Sequence, residues 1–222
     1  MNNRREEAVY RTKSTGVLPA IKLKNAADLL PYADAFLEGG ISVLEVTMTT
    51  PGVLDAFRAI KHAYGDRLLL AAGTTLDATA AYAAIQAGAS ILVSPAVVPD
   101  VIATANRYQV ACFCGAFTAT EVLQAMTAGA DMVKIFPAAL AGPAYMTNLR
   151  MVYPEVNLVP SGGINLETAG EFIRCGAAAI SGARNFFDYQ AVQEHGALWV
   201  TEQARKYVDI VAKARETAYP LP

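Results

Sequence analysis

Lys134 stands in the middle of MVKIF, within DMVKIFP (131–137), and Glu45 stands in SVLEVT (42–47). A lone charge in such an apolar run is costly unless it is paired, exposed at a strand end or held as a neutral amine. Desolvation disfavours an ammonium. A neutral amine attacks a ketone or aldehyde and forms a Schiff base. Two readings follow: a structural Lys134–Glu45 ion pair, or a neutral amine that acts as a nucleophile. The alternation of positions leaves both open.

Further polar residues close similar runs. Glu45, Thr47 and Thr49 alternate and so share one strand face, as do Lys22 and Lys24. Thr74 follows LLLAAG (68–73), and Ser94-Pro95 ends SILVSP (90–95). Lys134 and Phe136 share a face opposite Val133 and Ile135. Ser161-Gly162-Gly163 is followed by a helix expected to open near Asn165, and Ser181-Gly182-Ala183-Arg184 follows the last run. Small residues let backbone N–H groups approach an anion, which points to phosphate; plain turn glycines are the alternative.

Metal and thiol chemistry find less support. Cys112 and Cys114 would face the same way on one strand, but no further Cys or His lies nearby to complete a ligand set, so small buried side chains are the preferred reading. Cys175 makes the number odd, which argues against a disulfide framework. His62 and His195 fall in surface-like helical settings.

The elements that must position these residues are repetitive. Runs at 17–23, 42–47, 68–73, 90–95, 110–115, 131–136, 157–162 and 178–182 suit strands buried on both faces of a parallel sheet. Amphipathic segments lie between them, and four end at Gly40, Gly88, Gly129 and Gly176, residues suited to a left-handed helix stop. These glycines are roughly 40 to 50 residues apart, about two strand-plus-helix units. Eight units imply an α/β fold, a (β/α)8 TIM barrel, with its chemistry at the C-terminal ends of the strands. A doubly wound open sheet is the competitor, weakened by the lack of GxGxxG after the first strand. A polar helix near 3–13 is expected to cap the barrel bottom, and a helical tail over 188–222 to pack outside. The expectation is one domain over 1–222, with the barrel at 15–187.

The chain has 222 residues, 54% hydrophobic and 17% charged, with net charge −2. That balance favours neither nucleic acid nor an anionic membrane surface. No apolar run reaches the roughly 18 to 20 residues of a membrane span. The polar N-terminus lacks the apolar core of a secretory signal, so a cytoplasmic location is expected.

Six stretches together resemble the 2-keto-3-deoxy-6-phosphogluconate / 4-hydroxy-2-oxoglutarate aldolases, class I pyruvate aldolases on a (β/α)8 barrel. They are GGISVLEVT around Glu45, AAGTTL around Thr74, ILVSP ending at Pro95, VKIFP around Lys134, Gly142-Pro143, and PSGGIN at 160–165. The resemblance implies that Lys134 forms the Schiff base and that Glu45 is the general acid/base, working through a water. It implies that Thr74 helps hold the pyruvyl carboxylate, Pro95 and Phe136 shape the pocket, and Gly162 and Gly163 hold a distal phosphate. It implies no cofactor or metal, a keto acid (pyruvate) and an aldehyde as partners, and a homotrimer. Three departures from the pattern involve four positions. Some members carry a carboxylate-binding arginine where this chain has Thr49. Others carry it late in strand one, where this chain has Lys22, which keeps the charge and loses the bidentate fork. Ser161 replaces the usual threonine, and Arg184 stands where a phosphate-binding serine is usual, so the aldehyde half stays open. Another phosphate-binding barrel isomerase or synthase, or a catalytically silent keto-acid-binding barrel, is the alternative.

Overall fold

The eight apolar runs all become strands of a single parallel sheet. In the computed structural model, which describes residues 4–182 and 186–218, these are β1 (Val17–Ile21), β2 (Val43–Thr47), β3 (Leu69–Gly73), β4 (Ile91–Val93), β5 (Ala111–Ala116), β6 (Met132–Ile135), β7 (Leu158–Pro160) and β8 (Ile180–Gly182). From β1 to β7 each strand pairs with the next in sequence, and β1 also pairs with β8. A single bridge between Ser161 and Ser181 joins β7 to β8, leaving a nearly closed barrel. Closure, and with it the choice of barrel over open sheet, rests on that β1–β8 pairing.

Helices fill the connections. They are α2 (Leu30–Glu38), preceded by a 3₁₀ turn at Ala26–Leu29, then α3 (Val53–Tyr64), α4 (Ala78–Gln86), α5 (Pro99–Tyr108), α6 (Ala119–Thr127), the short α7 (Ala138–Ala141), α8 (Ala144–Val152) and α9 (Ala169–Arg174). The four glycine stops share one hydrogen-bond pattern. At Gly40 (φ 87°) its N–H donates to Leu37 O, and the N–H of Ile41 donates to Phe36 O. The same pair recurs at Gly88, Gly129 and Gly176. A residue with a Cβ would be strained at each of these stops, which return the chain toward the next strand.

Alternation along the strands divides the core in two. Leu18, Val43, Leu69, Ile91, Phe113, Met132 and Val159 fill the barrel interior. Ile21, Leu44, Val46, Leu70, Val133 and Ile135 pack outward against the helices. On β6, with Met132 inside and Val133 and Ile135 outside, Lys134 must point inward.

Helix α1 (Arg4–Thr15) covers the end opposite the mouth. Ala8 is fully buried in the interior cluster and Val9 packs beside it. The guanidinium of Arg4 donates to Gly88 O (2.9 Å) and Ala89 O (2.8 Å), just ahead of β4. At the other end of the chain, Tyr189–Glu216 is helical on both sides of Gly196, whose φ of 67° and ψ of −159° break it; we call it α10. Its Tyr207 is fully buried and stacks on Phe186 at 4.0 Å. Burying each such ring contributes about 1.5–3 kcal/mol, which fastens α10 to the barrel wall. Among the described residues, no helix is long and apolar enough to cross a membrane.

Candidate active site

Glu45 and Lys134 are 89 residues apart in sequence and meet across the barrel interior. Lys134 Nζ donates to Glu45 Oε1 at 3.1 Å and to Oε2 at 3.2 Å. The side chains are 11% and 2% exposed. A carboxylate and an ammonium this dry tolerate burial only because each neutralises the other.

The pair floors a cavity of about 460 Å³ at the C-terminal ends of the strands. Of the residues singled out in the sequence, Lys22, Glu45, Thr74, Pro95, Lys134, Phe136, Ser161, Gly162 and Gly163 line it. Thr49 does not. It is exposed at the rim, with its hydroxyl 3.1 Å from that of Thr47. Arg184 lies outside the described residues. Lys24, expected beside Lys22, instead turns its ammonium over the ring of Tyr189 at 5.2 Å.

Thr74 holds φ at 45°, an uncommon conformation for a β-branched residue and one that persists only where the surroundings impose it. Its neighbour Thr75 supplies the constraint: the Thr75 N–H donates to Val93 O and its hydroxyl to Ala72 O, both at 2.9 Å. Pro95 is set by Ser94, whose hydroxyl donates to Ala96 O at 2.8 Å and accepts from the Gly115 N–H at 3.4 Å. Gly162 (φ 86°) and Gly163 (φ 83°) both occupy the left-handed region. A Cβ on Gly162 would come within 2.9 Å of the Phe136 ring, and one on Gly163 within 2.5 Å of Ala139. Glycine is thus required at this lip of the pocket.

The helix expected near Asn165 starts later, at Ala169. Asn165 Oδ1 accepts from the N–H groups of Glu167 (3.0 Å) and Thr168 (2.9 Å), so a side chain closes the turn that a helix would have formed. Ala20, Thr47 and Ile164 also line the cavity. Thr47 had a signal in its alternation with Glu45, whereas Ala20 and Ile164 had none in residue type.

Cys112 and Cys114 are completely buried in the layer between strands and helices, and burial pushes both thiols upward from the usual range. Among the described residues no three His, Cys, Asp or Glu side chains gather as a metal site.

A parallel α/β barrel with a buried lysine–carboxylate centre at the C-terminal mouth defines a class of barrel enzyme. Comparison narrows the class. The family model "KDPG and KHG aldolase" matches residues 9–202. The 2-dehydro-3-deoxy-phosphogluconate aldolase of Treponema pallidum (strain Nichols) is 38% identical over 168 residues, 75% of this chain and 78% of that protein. The 2-dehydro-3-deoxy-6-phosphogalactonate aldolase of Escherichia coli (strain K12) is 32% identical over 152 residues, 68% of this chain and 74% of that protein. A crystal structure of KDPG aldolase from Legionella pneumophila, with pyruvate captured at low pH as a covalent carbinolamine intermediate, superposes with a TM-score of 0.81 at 28% identity, covering 89% of this chain and 96% of that one. The chain belongs to the KDPG and KHG aldolase family, and its enzyme class is that of the lyases.

Proposed function

We propose that this protein is a class I aldolase that reversibly cleaves a 4-hydroxy-2-keto acid to pyruvate and an aldehyde. The observation that carries the reading is the Lys134 amine held at 3.1 and 3.2 Å from both oxygens of Glu45, on the floor of a cavity. An ion pair kept only for structure has no need of an open space above it. This pair has both a nucleophile and an acceptor for its proton.

The sequence of steps follows from those two groups. Lys134 gives a proton to Glu45, and its free amine adds to the C2 ketone. Glu45 returns its proton to the carbinolamine hydroxyl, which leaves as water, so that an iminium ion and the Glu45 carboxylate remain. Glu45, through a water, takes the proton of the C4 hydroxyl. The C3–C4 bond then breaks, its electron pair passes to the iminium nitrogen, and the aldehyde leaves. The enamine that remains is protonated at C3, again through Glu45. Water then adds to the imine and releases pyruvate and the amine. Lys22 and Thr74 hold the keto-acid carboxylate, Pro95 and Phe136 flank the reacting carbons, and Thr49 serves only the rim. Gly162 and Gly163, beside Ser161, take the distal end of the substrate. The names of the Treponema and E. coli relatives support a phosphorylated sugar acid there, with Arg184 as a further anion partner; 4-hydroxy-2-oxoglutarate is the smaller candidate. The same reading carries a homotrimer in the cytoplasm, and sedimentation of the purified protein tests the trimer.

The deciding experiment is intact mass after incubation with pyruvate and borohydride, followed by peptide mapping. One reduced pyruvate on Lys134 is the expected result. Folded protein that stays unmodified would overturn the Schiff-base reading in favour of a binding protein or an isomerase.

A further inference from the structure

Glycine in a strand has a cost and needs a reason. Gly73 is the last residue of β3 and pairs with Thr47 of β2. Its φ is not in the left-handed region that explains so many other glycines of this chain. What Gly73 lacks is room. A Cβ there would sit 2.0 Å from Glu45 Oε1, 2.5 Å from Glu45 Cγ and 2.6 Å from Glu45 Cδ. All three nearest atoms belong to the same side chain. The Glu45 side chain therefore rises from β2 and lies across the bare Cα of Gly73, and from there its carboxylate reaches Lys134.

We propose that Gly73 is a positioning residue for Glu45, a role that rests on the aldolase reading above. The absent side chain is the slot that aims the carboxylate at the Lys134 amine. A methyl group at position 73 overlaps the present Glu45 side chain and displaces it from its path to Lys134. The backbone of β3 accepts alanine without strain, and the obstructing atoms are the end of a flexible side chain, so the fold survives. Gly115 gives the contrast: a Cβ there would strike the backbone of Pro95 and Ala96, at 2.1 to 2.4 Å, where no rotamer change relieves it.

The test uses pyruvate alone, so it does not depend on the aldehyde. Two readouts separate the two groups. Borohydride trapping taken to completion reports whether Lys134 can form the imine, whatever the rate at which its proton is removed. Deuterium uptake into the pyruvate methyl group in D2O, followed by NMR, reports proton transfer at C3, which the mechanism assigns to Glu45. Gly73→Ala is expected to remain trappable by pyruvate while methyl exchange slows about 100-fold, the usual order for a catalytic group displaced by about an ångström. In a Glu45→Ala background, where nothing obstructs a methyl, the same substitution is expected to change residual exchange less than about threefold. If Gly73→Ala does not fold, folding of the Gly73→Ala/Glu45→Ala double variant still supports the slot, and failure of both overturns it. Native exchange retained in Gly73→Ala overturns the positioning role, as does an equal loss in the two backgrounds. An unmodified native protein in the trapping experiment would fail the aldolase reading itself, which keeps the two failures distinguishable.

Discussion

Strand β6 carries an ion pair at each end, and the two are built differently. At the bottom, Asp131 Oδ1 meets Arg5 Nε at 2.7 Å, and its other oxygen accepts from the N–H of Cys112 at 2.8 Å. Arg5 also donates to Asn106 Oδ1 (2.7 Å) and Gly129 O (2.9 Å). These charge-assisted bonds reach β5, the α5 helix and the α6 stop, and they hold α1 across the barrel. At the top, three residues further on, Lys134 and Glu45 are drier, 11% and 2% exposed against 20% and 15%. Yet they bond chiefly to each other and face a cavity. The bottom pair is wired into the backbone and holds structure. The top pair carries the higher desolvation cost with fewer compensating bonds, the pattern expected where stability has been given up for chemistry.

The largest effect that would break this contrast is on turnover. Lys134→Ala is expected to lower aldol cleavage by about a thousandfold or more, because it removes the amine of the proposed covalent step; a coupled assay of pyruvate release measures it. More than a trace of activity would return Lys134 to a structural role. Next comes stability. Asp131→Ala is expected to cost about 1–3 kcal/mol in urea unfolding, since it removes the carboxylate facing the Arg5 guanidinium and the acceptor of the Cys112 N–H. The top pair should behave in the opposite way: Lys134→Met with Glu45→Leu is expected to be neutral or stabilising by about 1–4 kcal/mol. Destabilisation of that double variant would mean that the top pair, too, is kept for the fold.

The smallest effect lies outside both pairs. Thr118 caps α6 and forms a reciprocal box with Glu121, so Thr118→Ala is expected to cost about 1 kcal/mol. The N–H of Phe117, then the N–H and hydroxyl of Thr118, donate to the Glu121 carboxylate and hold it below the ordinary glutamate range. A carboxyl lowered by folding adds stability above its unfolded value and loses it as pH falls through its folded value. The stability difference between native protein and Glu121→Gln should therefore be full near neutrality and vanish in acid. A difference that persists at low pH would remove the cap from the account.

Much of this molecule was legible in one dimension. Runs of Val, Ile and Leu must be buried on both faces, so the eight strands and their parallel sheet follow from composition and length. The period of two set Lys134 opposite Val133 and Ile135 and put Glu45 on one face with Thr47, and four glycines marked where helices turn back. Tertiary structure decided what those inward residues meet. That Lys134 touches Glu45 depends on the register of the four strand pairs between β2 and β6. That Lys24 leaves the mouth for Tyr189 depends on where α10 returns. That Gly73 is a slot, unlike Gly88, which is a helix stop, depends on a side chain from the neighbouring strand. Periodicity is a local property of the backbone and can be read along the chain; contact between distant residues depends on closure, and closure exists only in the folded barrel.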